Sequence, residues 1–171
     1  MTQFKKSALL IFGLSVSAFA GGSHFNLGLS GNKFDTGSNQ LGGSFGLDMI
    51  KTLSNGIEIG ASIDADGFLV KRYQSLNDDA GELVDGLFRA GYNFNPMFEI
   101  PVAVRGGIGY GVGQVRSTTM DGMVYDVEGE YDIGSKYVLG VKYKKANLTM
   151  TMPNNPKADY SQIGGYFGFR F

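Results

Sequence analysis

The chain has 171 residues with 15 basic and 16 acidic side chains, a single histidine, and neither cysteine nor tryptophan. Near-neutral charge gives no electrostatic reason to expect a nucleic-acid partner. The missing cysteine excludes a disulfide scaffold, a thiolate metal site, a cysteine nucleophile and a lipid-modified N-terminal cysteine, so sheet and core alone must hold the fold.

The first twenty residues differ from the rest. Lys5 and Lys6 precede an apolar stretch from Ala8 to Val16, and Ala18-Phe19-Ala20 stands before Gly21 as a small-x-small cleavage site. This is the layout of a secretory signal peptide, and the apolar run is shorter than the roughly 20 residues a spanning helix needs. The expectation is a signal peptide over 1–20, marked by Ala18, Ala20 and Gly21, and one mature domain over 21–171. Cleavage would leave 13 basic and 16 acidic side chains, a net charge of −3.

Period-two alternation then recurs eight times between Gly, Asn, Asp, Ser or Pro clusters. It predicts strands near 23–33, 40–50, 57–66, 82–94, 98–110, 123–133, 136–146 and 159–171, with no helix between them. One parity is uncharged throughout, as in Phe25, Leu27, Leu29; Ile57, Ile59, Ile63; Val102, Val104, Ile108; Phe167 and Phe169. The other carries Asp48, Glu58, Asp64, Asp85, Arg89, Glu99, Arg105, Asp126, Glu128, Glu130, Asp132, Lys136, Lys142, Lys144 and Arg170. Alternation alone fits a soluble barrel or sandwich equally well, with the apolar parity inside.

Three features argue for lipid outside. Short connections at 51–56, 95–97 and 134–135 alternate with longer ones around 34–39, 67–81, 111–122 and 147–158, as periplasmic turns alternate with outer loops. Aromatic residues crowd the short-turn ends, at Phe25, Tyr92, Phe94, Phe98, Tyr131, Tyr137, Phe169 and Phe171, as an interfacial girdle requires. The third is the C-terminal segment Ile163-Gly164-Gly165-Tyr166-Phe167-Gly168-Phe169-Arg170-Phe171. It resembles the terminal strand of bacterial outer-membrane barrels, although Tyr166 occupies the usual glycine position. With the signal peptide and the strand count, the mature chain resembles the small opacity-protein and outer-membrane-protein-A-like barrels. The resemblance implies an all-β, eight-stranded antiparallel up-and-down transmembrane barrel in the outer membrane of a Gram-negative bacterium. It also implies that the barrel-assembly machinery reads Phe167, Phe169 and Phe171.

Little in the sequence points to catalysis. His24 opens the first strand at the periplasmic mouth, away from the outer rim where lipid A-modifying enzymes of similar size keep their histidine, so it reads as a polar mouth residue. Asp64-Ala65-Asp66-Gly67 lacks the third acid and closing glutamate of a calcium loop. The glycine run from Gly106 to Gly111 has no following helix to make a nucleotide site. No cofactor or metal is implied. Asp126, Glu128, Glu130 and Asp132 would be costly in a narrow lumen without partners, which Lys136, Lys142 and Lys144 supply from the next strand. Arg89, Arg105 and Arg170 can pair with Asp85, Glu99 or Glu58. Pro101, inside the predicted fifth strand, calls for a bulge or break. In the second outer loop Lys71 and Arg72 are candidates to meet lipopolysaccharide phosphates. The expected function is non-enzymatic, in envelope integrity or surface interaction; a narrow diffusion pore and a lipid A-modifying enzyme are the alternatives.

Overall fold

The computed structural model describes residues 23–34, 40–70 and 79–171. Eight antiparallel strands close into one barrel in sequence order: β1 (His24–Phe34), β2 (Gln40–Thr52), β3 (Ile57–Val70), β4 (Asp79–Asn93), β5 (Val102–Val115), β6 (Thr118–Ile133), β7 (Tyr137–Met150) and β8 (Lys157–Arg170). The eight-stranded up-and-down barrel that the resemblance implies is the fold that forms. The cleavage positions Ala18, Ala20 and Gly21, and the loop pair Lys71 and Arg72, lie outside the described residues.

The first and last strands make the closing seam, in register from His24↔Arg170 to Phe34↔Tyr160. Strands therefore hydrogen-bond to a neighbour on each side, as spanning a bilayer requires, because hydrocarbon cannot satisfy an unpaired backbone group. The sense of the barrel follows from exposure. Leu29, Val141 and Ile163 are 66–70% exposed on the outer wall, whereas Arg89, Lys144 and Asp48 are fully buried. A wall of bare aliphatic side chains around charged groups is the reverse of a water-soluble barrel and suits lipid. Met49, which shares the apolar parity, is buried.

Strand boundaries differ from expectation in several places. Most strands run further toward the end of the long connections than predicted, and β5 and β6 are joined by only Arg116 and Ser117, where a long loop was expected. The intervening Gly-Val-Gly-Gln-Val and Thr-Thr-Met-Asp-Gly have loop composition, yet they keep the period of a strand. Their glycines face inward because the interior is full: a Cβ on Gly111 would stand 2.9 Å from Val124 Cγ2, and one on Gly113 2.9 Å from Met120 Cε. Pro101 needs no bulge, because β5 begins after it and its carbonyl accepts the Asp132 amide at 2.8 Å. The segment before it holds one helical turn, Asn95–Phe98, ended by Glu99 in the left-handed region at φ 57°.

At the short-turn end the aromatic side chains touch. Phe25 lies 5.0 Å from Phe171, Tyr92 lies 5.0 Å from Phe94, and Tyr137 lies 5.5 Å from Phe167 and 5.8 Å from Phe169. Tyr92 and Tyr137, apolar in the ring and polar at the hydroxyl, are of the kind favoured at a lipid–water boundary, and the phenylalanines extend the aromatic girdle on its apolar side.

Candidate functional site: the barrel interior

Inward-facing side chains separate into two layers. Toward the short turns the interior is charged. Among the described residues nine buried carboxylates share it with only four buried cations, Arg89, Arg105, Lys142 and Lys144. Each cation must therefore serve several acids. Arg89 meets Asp48 at 3.1 Å, Asp64 at 3.3 Å, Asp126 at 2.7 Å and Glu128 at 2.5 Å, and its Nε donates to Ser62 Oγ at 2.7 Å. Arg105 spans Glu58, Glu130 and Glu128 at 2.5, 2.6 and 3.2 Å. Arg170, half-buried at the mouth, reaches Asp132 at 2.6 Å.

The lysines sit differently from expectation. Asp126↔Lys144 and Glu128↔Lys142 are paired in the β6–β7 register, but the ammonium groups extend across the lumen instead of along it. Lys144 contacts Asp85 at 2.6 Å and Asp66 at 2.7 Å, and Lys142 contacts Asp64 at 3.0 Å while Glu128 lies at 3.7 Å. Arginines from β4 and β5 already occupy the β6 carboxylates, so the lysines serve the acids of β3 and β4. Lys136 is not in the network: it is exposed in the β6–β7 turn. Glu99 is likewise exposed at the end of the helical turn and partners none of the arginines.

His24 is fully buried, with Nε2 at 2.9 Å from Glu130 and 3.3 Å from Asp48, so it belongs to the charged layer instead of an open mouth. Tyr166, at the departure from the terminal-strand pattern, donates its hydroxyl to Glu130 at 2.8 Å, and Lys142 Nζ stands 5.4 Å from the centre of its ring. Glycines on the inner face make room for this density. A Cβ on Gly107 would stand 2.3 Å from Asp126 Oδ1, and one on Gly46 2.3 Å from Asp64 Oδ1.

Toward the long connections the interior becomes apolar, where Phe68, Leu83, Leu87, Met120, Val124, Ala146, Leu148 and Tyr160 form one buried cluster. Phe68 and Tyr160 stand 4.8 Å apart, and the Tyr160 hydroxyl donates to Asn32 at 2.8 Å. The sequence reading missed this layer. The predicted strands end at 66 and 146 and begin at 123, which leaves Phe68, Met120 and Leu148 in loops, while Leu83, Leu87, Val124, Ala146 and Tyr160 lie within predicted strands on the inner parity. The missed signal was alternation continuing beyond the glycines and threonines.

No family model matches the chain, and no curated protein matches it in sequence. Solved structures do match in fold. Neisserial surface protein A is 11% identical, with 88% of this chain and 96% of that one covered at a TM-score of 0.60. Ail, the attachment invasion locus protein of Yersinia pestis, is 15% identical, with 88% and 97% covered at 0.54. The fold is therefore that of the small bacterial outer-membrane β-barrels.

Proposed function

We propose that this chain is a non-catalytic outer-membrane protein with an occluded barrel, acting in envelope integrity or surface interaction. The observation that carries this reading is the direction of the interior cations. Lys142 and Lys144 reach carboxylates across the lumen, where hydrated, unpaired charges would suit a conducting path. The apolar cluster stacked on that layer supports the same reading, as does the narrowness of an eight-stranded barrel, whose side chains nearly fill it. Against catalysis, His24 is held between two carboxylates at the end opposite the long connections. Single-channel recording on the purified monomer tests the proposal. The unmodified protein should show no large, persistent conductance, and Lys142→Met should lower its unfolding midpoint without opening one. Steady conductance whose ion preference, but not stability, changes in Lys142→Met would establish the narrow diffusion pore instead.

Three finer readings belong to this proposal. Residues 1–20 are a signal peptide, so mass spectrometry of the envelope protein should find Gly21 at the N-terminus, and a chain retaining Lys5 and Lys6 would overturn this. Lys71 and Arg72 contact lipopolysaccharide phosphates. Phe167, Phe169 and Phe171 are read by the barrel-assembly machinery. Phe171 is 66% exposed and has little packing to lose beyond Phe25. Its deletion should lower barrel yield in cells while refolding in detergent stays largely intact; equal loss in both assays would make its role packing.

A further inference from the structure

The outer wall is not uniform around its circumference. On the outward faces of β1, β7 and β8, the apolar belt ends at one row near the long connections. Lys33 pairs in register with Ser161, and Ser161 with Lys145. Immediately below this row stand Gly31, Ile163 and Tyr143, with Leu29, Gly165 and Val141 beneath them. The two lysines are thus two strand spacings apart, about 10 Å, with a hydroxyl between them. Both are exposed, and neither has a hydrogen bond or ion pair among the described residues. Among the described residues the nearest acid on the same outward face, Asp159, lies two residues further out on β8. Elsewhere at this end the outward face carries acids, Glu82 on β4 and Asp121 on β6, the strand beside β7. Among the described strand residues, outward-facing cations at this end occur only on β1, β7 and β8.

The same three strands carry a depression in the belt. A groove of about 520 Å³ lies between Leu27 and Leu29 on one side and Leu139 on the other, floored by Gly165 and bounded by Phe167. A second, of about 240 Å³, runs on the far side of β7 along Val127, Val141, Tyr143 and Ile163. Gly165 is not required by the backbone or by packing, since a Cβ there would meet nothing nearer than the Gly140 carbonyl at 3.7 Å. What the glycine provides is open space on the lipid side. It lies four residues, about 13 Å of strand, below Ser161. That is within reach of an acyl chain whose headgroup sits at the lysine row.

We propose that the β7–β8–β1 face is a binding site for one phosphorylated, multiply acylated glycolipid of the outer leaflet, with Lys33, Ser161 and Lys145 holding a phosphate and the Gly165 groove taking an acyl chain. This rests on the outer-membrane reading above, which puts the long-connection end in the outer leaflet. Two cations without partners among the described residues, flanking a hydroxyl, suit a phosphate, because charge-assisted hydrogen bonds are strongest to ionised oxygens. Grooves on both sides of β7 suit a lipid with more than one chain.

The experiment is native mass spectrometry of the full mature barrel released from nanodiscs containing phosphatidylcholine with either diphosphoryl or monophosphoryl lipid A. Wild-type protein should retain diphosphoryl lipid A over both monophosphoryl lipid A and phosphatidylcholine. Lys33→Gln/Lys145→Gln should reduce that retention about tenfold and remove the preference for the second phosphate. Gly165→Leu should weaken both lipid A forms while leaving the barrel folded. Lys51→Gln/Lys136→Gln, exposed at the other end, should change nothing. Retention by the lysine pair and Gly165→Leu variants equal to wild type, or no preference over phosphatidylcholine, would overturn the site. Insertion is followed separately, by the heat-sensitive electrophoretic mobility of the folded barrel. A wild-type chain that never gains that form in a bilayer would overturn the outer-membrane reading itself.

Discussion

Replacing Arg89 with methionine should destabilise the barrel by about 3–5 kcal/mol, the cost of removing one partner from a buried ionic cluster. Arg89 is fully buried and its guanidinium touches four carboxylates, contributed by β2, β3 and β6. Methionine fills part of the volume but leaves those acids facing one another without their shared cation. The measurement is the urea midpoint of the barrel refolded in lipid vesicles. Arg116→Met serves as the comparison: its pair with Asp79 at 2.5 Å is half-exposed at the outer rim, and such pairs contribute no more than about 1 kcal/mol. The Arg89 effect should also be non-additive with Glu128→Gln, because neutralising one of the stranded acids relieves part of the repulsion. Equal, small effects of Arg89→Met and Arg116→Met would mean that water reaches the interior charges.

Val127→Arg should cost about 2–4 kcal/mol in a bilayer, as a cation at mid-depth on the lipid face does. Val127 is 58% exposed on the outer wall, midway along β6, between Gly106 and Tyr143. Asn147→Arg, on the same outward face of β7 beyond Lys145, should cost about 0–1 kcal/mol, since the penalty fades toward the interface. Vesicle refolding of both variants gives the comparison. A silent Val127→Arg beside a non-folding Ala103→Arg, at a buried inward position, would reverse the inside and the outside of the barrel.

Much of this architecture was legible in the sequence because barrel strands write it at every second position. The uncharged parity from Phe25 to Phe169 gives the outer wall, and the charged one gives Arg89, Arg105, Asp126 and Glu128 inside. Strand ends were less legible. Glycine and threonine at 111–122 signal a loop by composition, but here they mark a packed interior, where Gly111 and Gly113 yield space to Val124 and Met120. Partner choice was not legible at all. Alternation assigns Lys142 and Lys144 to the lumen, but which acids they meet depends on curvature, which brings β3 opposite β7. His24 read as a residue at an open mouth because nothing in its neighbourhood of sequence announces Glu130, more than a hundred positions away.

The seam between β1 and β8 bears on how the molecule is made. Its eleven registered pairs, from His24↔Arg170 to Phe34↔Tyr160, join the first strand to the last. Until residue 170 arrives, any sheet already formed has two raw edges, and in hydrocarbon each unpaired amide or carbonyl would cost several kcal/mol. A half-built barrel is thus not a species the bilayer can host. Insertion and closure must be a single event, or the two edges must be sheltered by another protein until they meet.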